Sequence, residues 1–188
     1  GSAKLYGYWI TKNYRDAYDI FASNGILFNH EGPLRGETFV TKKITIAAAK
    51  ISKGMQKKLY LGNLNAKRDW GDARDFVEGM WKILQHPKPD DFVLATGKSF
   101  TVRRFVELAF KEVNINIRWR GKGLNEVGYN SSNKKTIIEI DKRYFRPNEV
   151  DFLQGNYAKS KKLLDWKPKI TLNQMIKDMI AHDLKNID

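Results

Sequence analysis

The chain has 188 residues, 41% of them hydrophobic, and this composition predicts a packed globular protein rather than a disordered tail. Cysteine is absent, which excludes disulfide bonds, thiolate metal sites and cysteine nucleophiles. No apolar run is long enough for a membrane span and no signal-like amino terminus occurs, so we expect a soluble, cytoplasmic protein. The formal charge of +13 favours an anionic partner, but no nucleic-acid-binding motif accompanies the basic residues. Neither nucleic acid nor a membrane is therefore expected as a partner.

Helices and strands alternate from the start of the chain. Apolar residues at three- and four-residue intervals predict a buried helix over Lys4–Tyr18. The short apolar run Gly25–Phe28 predicts a buried parallel strand, whose carboxyl end delivers Asn29–Glu31. A second helix is expected over Thr38–Ile51, followed by a short strand at Leu59–Leu61.

The alternation continues through the second half of the chain. The pattern predicts, in order, helix Ala73–Leu84, strand Phe92–Ala95, helix Thr101–Val113, strands Ile115–Trp119 and Thr136–Ile140 around a Gly- and Asn-rich loop, and helices Asn156–Leu164 and Thr171–Asn186. The last helix begins with a capping box, in which Thr171 and Gln174 are expected to bond each other's backbone amides.

This order of elements predicts an α/β protein with parallel strands, which normally need helices on both faces. A dinucleotide-binding α/β enzyme carries a turn of the form G-x-G-x-x-G between a strand and a helix. The sequence contains no such turn, and its nearest approximation, Gly121-Lys-Gly123, leads into a polar loop. If the chain belongs to such an enzyme, we expect the cofactor-binding half to lie outside these residues.

Five groups of short segments, in matching order and spacing, resemble the GDP-mannose 4,6-dehydratase family of the extended short-chain dehydrogenase/reductases. They are Gly1–Trp9 with Asn24–Glu31, Arg35–Ile44, Leu61–Asn63 with Arg68–Gly71, Arg143–Val150, and Leu164–Pro168. The resemblance implies the carboxyl-terminal part of such an enzyme, namely the end of a Rossmann domain and a small α/β substrate-binding domain. Residues 1–60 would be a remnant of the NADP-binding domain with interspersed substrate-binding segments. Residues 61–188 would mainly bind the nucleotide-sugar, with the strand at 91–96 and its adjoining helix as candidates to return to the Rossmann sheet.

The resemblance also implies a reaction. The family oxidises C4 of GDP-D-mannose with bound NADP, eliminates water across C5 and C6, and reduces C6 to give GDP-4-keto-6-deoxy-D-mannose. A tyrosine in a Tyr-x-x-x-Lys motif acts as the base, and by that spacing Lys4 is the lysine while the tyrosine would immediately precede Gly1. A neighbouring ammonium lowers the pKa of a phenol from its usual value of about 10. Lys4 is thus expected to be catalytic and to bind NADP, and the chain without the tyrosine is expected to be inactive.

The remaining site residues follow from the same resemblance. His30 and Arg35 come after the strand Gly25–Phe28, where α/β enzymes place ligand contacts, and the resemblance makes both of them NADP contacts. It assigns substrate binding to Asn29, Val40, Lys43, Arg68, Arg146 and Glu149. Guanidinium groups match diphosphate oxygens, lysine supplies a point charge, and a carboxylate can accept from guanine or ribose. The histidines show no metal-ligand spacing, so no metal site is expected.

Other functions stay open at this point. The chain could belong to a dehydratase or epimerase for another nucleotide-sugar, such as GDP-heptose, or be a non-catalytic nucleotide-sugar-binding fragment. The first two helices carry more apolar residues than one sheet face needs: Leu5, Tyr8, Trp9, Ile10, Phe39, Ile44 and Ile46. The resemblance implies that subunits pair through these helices, so a homo-oligomer, either dimer or tetramer, is expected. Alternatively, these residues cover the Rossmann half.

Overall fold

The computed structural model describes residues 1–145 and 150–187, and it confirms the expected α/β class. The helices in these ranges are α1 Ser2–Tyr18, α2 Val40–Ser52, α3 Ala73–Gln85, α4 Val102–Glu112, α5 Ala158–Leu164 and α6 Leu172–Asn186. The strands are β1 Gly25–Leu27, β2 Asn29–Glu31, β3 Leu59–Leu61, β4 Lys67–Arg68, β5 Trp70–Asp72, β6 Phe92–Leu94, β7 Phe100–Thr101, β8 Ile117–Arg120, β9 Val127–Asn130 and β10 Thr136–Ile140.

The strands form four small sheets instead of one continuous sheet. β1 pairs with β6 and β2 with β5 in parallel, whereas β4 and β7 are antiparallel. A four-stranded sheet has the order β3-β10-β9-β8, and only its β3–β10 pair is parallel. The expectation of parallel strands is therefore wrong for β4–β7 and for this sheet apart from its β3–β10 pair. In the sheet, the segment predicted to be a loop contains β9, which pairs antiparallel with the strands on both sides of it. Gly128 in β9 is needed there, since a Cβ would lie 2.9 Å from the Trp119 ring.

The main hydrophobic core lies between this sheet and helices α2, α4 and α6. Ile44, Phe105, Phe110, Ile138 and Met179 are fully buried in it. The amphipathic pattern of each helix is explained by this packing, because its apolar residues at helical spacing face the shared core.

A second, smaller core joins α3 and α5 to the parallel strands β1 and β6. Phe76, Phe92, Leu94 and Trp166 are buried there. Gly79 lets α3 approach the strands, since an added Cβ would lie 2.5 Å from Leu94 Cδ1.

Helix α1 contradicts the prediction of a buried first helix. None of its residues is buried, and Leu5 and Trp9 are 60% and 57% exposed. Polar contacts hold it instead: the Tyr8 hydroxyl donates to Asp91 Oδ2 at 3.0 Å, and Arg15 Nη1 donates to Asp91 Oδ1 at 2.9 Å. The strand predicted at Gly25–Phe28 is parallel as expected but not buried, because its first two residues are exposed. Within the described ranges, Ile26 of β1 and Leu5 and Trp9 of α1 therefore stay largely exposed.

Side-chain caps fix the start of several helices. Thr171 Oγ1 accepts from Gln174 N at 3.2 Å, but the Gln174 side chain donates to Asp178 Oδ1 at 2.7 Å. The capping box is therefore half formed, since the amide reaches along the helix rather than back to its start. Over the described ranges, no helix is both long enough and apolar enough to cross a membrane.

Candidate functional site

Two cavities meet at Asn29, the first residue of β2. The larger one, about 490 Å³, is called the α2 cavity here because the start of α2 forms one wall. It brings together four of the residues that the sequence assigned to substrate binding, namely Asn29, Val40, Lys43 and Arg68. The smaller one, about 380 Å³, is called the β2 cavity, and it brings together Asn29 with the two residues assigned to NADP, His30 and Arg35. The two predicted sets of residues thus line different cavities, and Asn29 lines both.

The first turn of α2 gives the α2 cavity an environment suited to an anion. Its N-cap residue is Phe39, which offers no side-chain acceptor to the backbone amides of the first turn. Uncapped amides and the positive end of a helix dipole attract phosphate or carboxylate groups. Lys43, one turn into the helix, holds its Nζ 3.3 Å from the centre of the Tyr144 ring. The amides and the ammonium together can therefore bind a phosphorylated ligand.

Arg68 reaches the α2 cavity from β4. Its Nη1 donates to two backbone carbonyls, Lys67 O at 2.9 Å and Val150 O at 2.5 Å. Asp69, the next residue, lies fully buried between β4 and β5 and binds two distant segments of the chain. Its carboxylate accepts from Thr96 N at 2.9 Å, Thr96 Oγ1 at 2.6 Å, Gly97 N at 2.9 Å and Gly155 N at 3.1 Å. Sequence reasoning missed this carboxylate, because its donors come from distant segments.

His30 and Arg35 are each held in a defined orientation beside the β2 cavity. The hydrogen on His30 Nδ1 is donated to Phe28 O at 2.9 Å, so the neutral ring keeps a lone pair on Nε2. Arg35 Nε lies 3.1 Å from Glu31 Oε2, and the guanidinium carbon lies 3.6 Å from the centre of the Phe39 ring. A cation stacked on a ring and paired with a carboxylate keeps its remaining donors in a fixed plane.

One predicted site residue of the described ranges does not line these cavities. Lys4 is exposed on the first turn of α1 and borders neither cavity. Arg146 and Glu149 lie outside the described residues. Conversely, the α2 cavity includes residues that had been assigned no role: Glu31, Asn63, Trp70, Arg143 and Tyr144. These residues could have been found from the sequence, because all of them fall inside the segments that carried the resemblance.

Comparison with known proteins gives the family. The family model described as GDP-mannose 4,6 dehydratase matches residues 1–179. GDP-mannose 4,6 dehydratase from Dictyostelium discoideum is 56% identical over 185 residues, which is 98% of the chain and 52% of that protein. The protein of the same name from Homo sapiens is 50% identical, again over 98% of the chain and 50% of its own length. The chain thus spans about half the length of these curated relatives.

Solved structures show the same fold at low sequence identity. RMD from Pseudomonas aeruginosa, complexed with NADPH, has a TM-score of 0.81 at 18% identity, covering 98% of the chain and 55% of that structure. UDP-glucose 4-epimerase from Thermotoga maritima has a TM-score of 0.76 at 19% identity, covering 100% and 54%. The fold is therefore shared by several nucleotide-sugar enzymes, while the family model is specific. Because that model covers residues 1–179 of 188, the chain belongs to the GDP-mannose 4,6-dehydratase family.

Proposed function

We propose that the chain is the nucleotide-sugar-binding, carboxyl-terminal part of a GDP-mannose 4,6-dehydratase, an NADP-dependent lyase. Its substrate would be GDP-D-mannose and its product GDP-4-keto-6-deoxy-D-mannose. One observation carries the proposal: in a chain of this family, Asn29, Val40, Lys43 and Arg68 come from three elements to line one cavity.

GDP is proposed to bind in the α2 cavity. The diphosphate would lie near the first turn of α2, where uncapped amides, Lys43 and Arg68 offer donors and positive charge. The rings of Trp70 and Tyr144 also line the cavity and give the base or sugar an apolar surface. Arg146 and Glu149 remain proposed substrate contacts from the segment that follows Tyr144.

A nicotinamide dinucleotide fits the chemistry of the β2 cavity. The Arg35 guanidinium has donors for an anionic group, and His30 offers Nε2 as an acceptor. The NADPH bound to the Pseudomonas relative supports the choice of NADP. When bound, the cofactor would supply the oxidation at C4 and the reduction at C6. Lys4 is proposed to bind it as well and to lower the pKa of a catalytic tyrosine.

The shared position of Asn29 supports this arrangement. Asn29 lines both cavities, so a ligand in the α2 cavity and one in the β2 cavity would lie close together there. A reaction between a bound sugar and a bound cofactor needs such contact, because proximity and orientation supply much of the rate enhancement.

The division into a Rossmann remnant at 1–60 and a substrate domain at 61–188 stays part of the proposal. The parallel pairing of β6 with β1 supports a return of the strand at 91–96 to the Rossmann sheet. Fold likeness to epimerases does not separate the two activities, whereas family membership favours a dehydratase.

Calorimetry with a set of nucleotides tests the proposal on the chain itself. GDP, UDP, dTDP and a short DNA duplex would be titrated at low and moderate salt. We expect GDP to bind at least about tenfold more tightly than UDP or dTDP, since hydrogen bonds to a base edge discriminate strongly. Preference for a pyrimidine nucleotide would contradict the proposed substrate. Tight DNA binding that falls steeply with salt would instead indicate a nucleic-acid-binding protein.

A further inference from the structure

Glu31 is a buried carboxylate that lines one cavity and contacts an arginine that lines the other. It ends β2, is 2% exposed, and lines the α2 cavity. Its Oε2 accepts from Thr41 Oγ1, in the first turn of α2, at 2.6 Å, and lies 3.1 Å from Arg35 Nε, which borders the β2 cavity. One carboxylate oxygen therefore connects the start of α2 to the arginine of the neighbouring cavity.

The electrostatics of Glu31 argue against a purely stabilising role. Burial raises its pKa, although the hydrogen bond from Thr41 and the charges of Arg35 and His30 act in the opposite direction. A carboxyl group whose pKa is raised on folding favours the folded state most at low pH, and that contribution falls as pH rises towards the folded pKa. At neutral pH the charge thus costs stability. Residues that lower the stability of the folded state in this way are typically found in binding or catalytic sites.

The surroundings of Glu31 leave Arg35 as its main charged partner. Lys43 lines the same cavity from α2, but its ammonium lies over the Tyr144 ring. Asp72, opposite Glu31 on β5, is bonded to Arg74.

We propose that Glu31 is a positioning residue that fixes Arg35 relative to the first turn of α2 and so couples occupancy of the two cavities. The coupling rests on the proposed function, in which GDP occupies the α2 cavity. A ligand that contacts the start of α2 changes the Thr41–Glu31 bond, and Glu31 transmits that change to Arg35. Coupling of this kind is reciprocal, so a ligand at Arg35 would alter GDP affinity by the same factor.

The test observes the Arg35 Nε–H group by NMR in the ¹⁵N-labelled chain, with and without saturating GDP. In the wild-type protein we expect slow solvent exchange and a shift of this resonance on adding GDP. Glu31→Gln keeps the shape and removes the charge, so exchange should be about tenfold faster, because the buried ion pair that holds the guanidinium is lost. Thr41→Val removes only the link to α2, so the GDP-induced shift should disappear while exchange stays slow. Glu37→Gln, the same change at an exposed position, should leave both readouts as in the wild type.

The unfolding temperature distinguishes a positioning role of Glu31 from a purely structural one. We expect Glu31→Gln to unfold at pH 7.5 at the wild-type temperature or above. A lower unfolding temperature with unchanged Arg35 exchange would overturn the proposal, as would a GDP-induced shift that persists in Thr41→Val. If the wild-type chain binds no GDP, the proposed function fails. In that case the Arg35 exchange rates in Glu31→Gln and Glu37→Gln still test the positioning role, and equal rates would refute it.

Discussion

Lys43 and Arg68 approach the α2 cavity from different elements and are held by different contacts. The Lys43 ammonium lies over the Tyr144 ring, whereas Arg68 donates to the backbone carbonyls of Lys67 and Val150. Neither contact neutralises the charge, but the ring leaves the N–H donors of Lys43 available to a ligand, whereas Arg68 Nη1 already donates to two carbonyls. We therefore expect Lys43 to contribute more of the attraction for a diphosphate.

Replacing Lys43 by Met should weaken GDP binding by about 1.5 to 3 kcal/mol, the usual range for a hydrogen bond to a charged group. Isothermal titration calorimetry measures the change directly. Lys50→Met, on the same helix but outside the α2 cavity, is the matched control and should change affinity little. Equal losses in the two variants would show that only overall charge attracts GDP.

Asp69 is expected to be among the residues most important for stability. Its buried carboxylate serves four donors, and Asp69→Ala would leave three backbone amides and a hydroxyl without their acceptor. The free energy of unfolding should fall by about 2 to 4 kcal/mol, because unsatisfied buried donors are costly. Urea unfolding monitored by circular dichroism provides the measurement. Asp16→Ala, which removes an exposed pair with Lys12, should cost less than about 1 kcal/mol, and a similar cost for both would refute this role.

The local sequence pattern predicted the basic residues in and near this site more readily than the carboxylates. Lys43 and Arg68 were predicted from charge and motif, and the structure brings them to one cavity. Glu31 and Asp69 lie inside segments that carried the resemblance but were given no role, because their importance depends on burial and on partners brought together only by folding. The roles assigned to Lys4, Arg146 and Glu149 stay predictions.

At the scale of elements, the attachment of α1 depends on one aspartate. Asp91 accepts hydrogen bonds from Arg15, Asn24 and Tyr8. Burial raises the pKa of the Asp91 carboxyl, but the hydrogen bonds from Arg15, Asn24 and Tyr8 more than offset it and hold the pKa well below its usual range. Because apolar contacts bury none of α1, these bonds should dominate its docking.

Acid is therefore expected to release α1 before the cores unfold. A carboxyl group with a lowered folded pKa stabilises the folded state above its unfolded pKa of about 3.9, and this contribution is lost as pH falls further towards the folded value. Hydrogen exchange of the α1 amides, measured from pH 5 to pH 3, should increase relative to that of α4. In Asp91→Asn the α1 amides should exchange faster even at pH 7, with little further change on acidification. Equal pH dependence in both proteins would contradict the account.

Helices were easier to predict than strands for physical reasons. The bounds of α3 and α6 agree with the sequence to within about a residue, because Asp72 and Thr171 cap their starts. Strands β2, β4, β5 and β7 contain two or three residues each, too few to show any periodicity. They exist because tertiary contacts pair them, and no local pattern encodes those contacts.

At the scale of the molecule, the apolar surface for association is smaller than the sequence suggested. Ile44 is fully buried in the main core and Tyr8 donates to Asp91, so neither supplies a free apolar face. Leu5, Trp9 and Phe39 remain about half exposed or more. We propose that these residues contribute to pairing between subunits of the parent protein; covering its Rossmann half is the alternative.

Light scattering on the full-length parent, with Trp9→Glu as the test variant, distinguishes these alternatives. A dimer or larger assembly is expected for the wild type, and a buried charge at the interface should shift the variant towards monomer. Trp81→Glu, which alters a tryptophan of similar exposure on α3, should leave the assembly intact. A wild-type monomer at micromolar concentration would refute the subunit interface.

The central claim is that this chain supplies the nucleotide-sugar half of a GDP-mannose 4,6-dehydratase. The most direct measurement incubates GDP-D-mannose and NADP with the full-length parent protein and, separately, with the 188-residue chain, and identifies products by NMR. We predict GDP-4-keto-6-deoxy-D-mannose from the full-length protein and no turnover by the chain alone, since the tyrosine base is not among its residues. Turnover by the purified chain, or failure of the full-length protein to dehydrate GDP-D-mannose while it converts another nucleotide-sugar, would contradict the account.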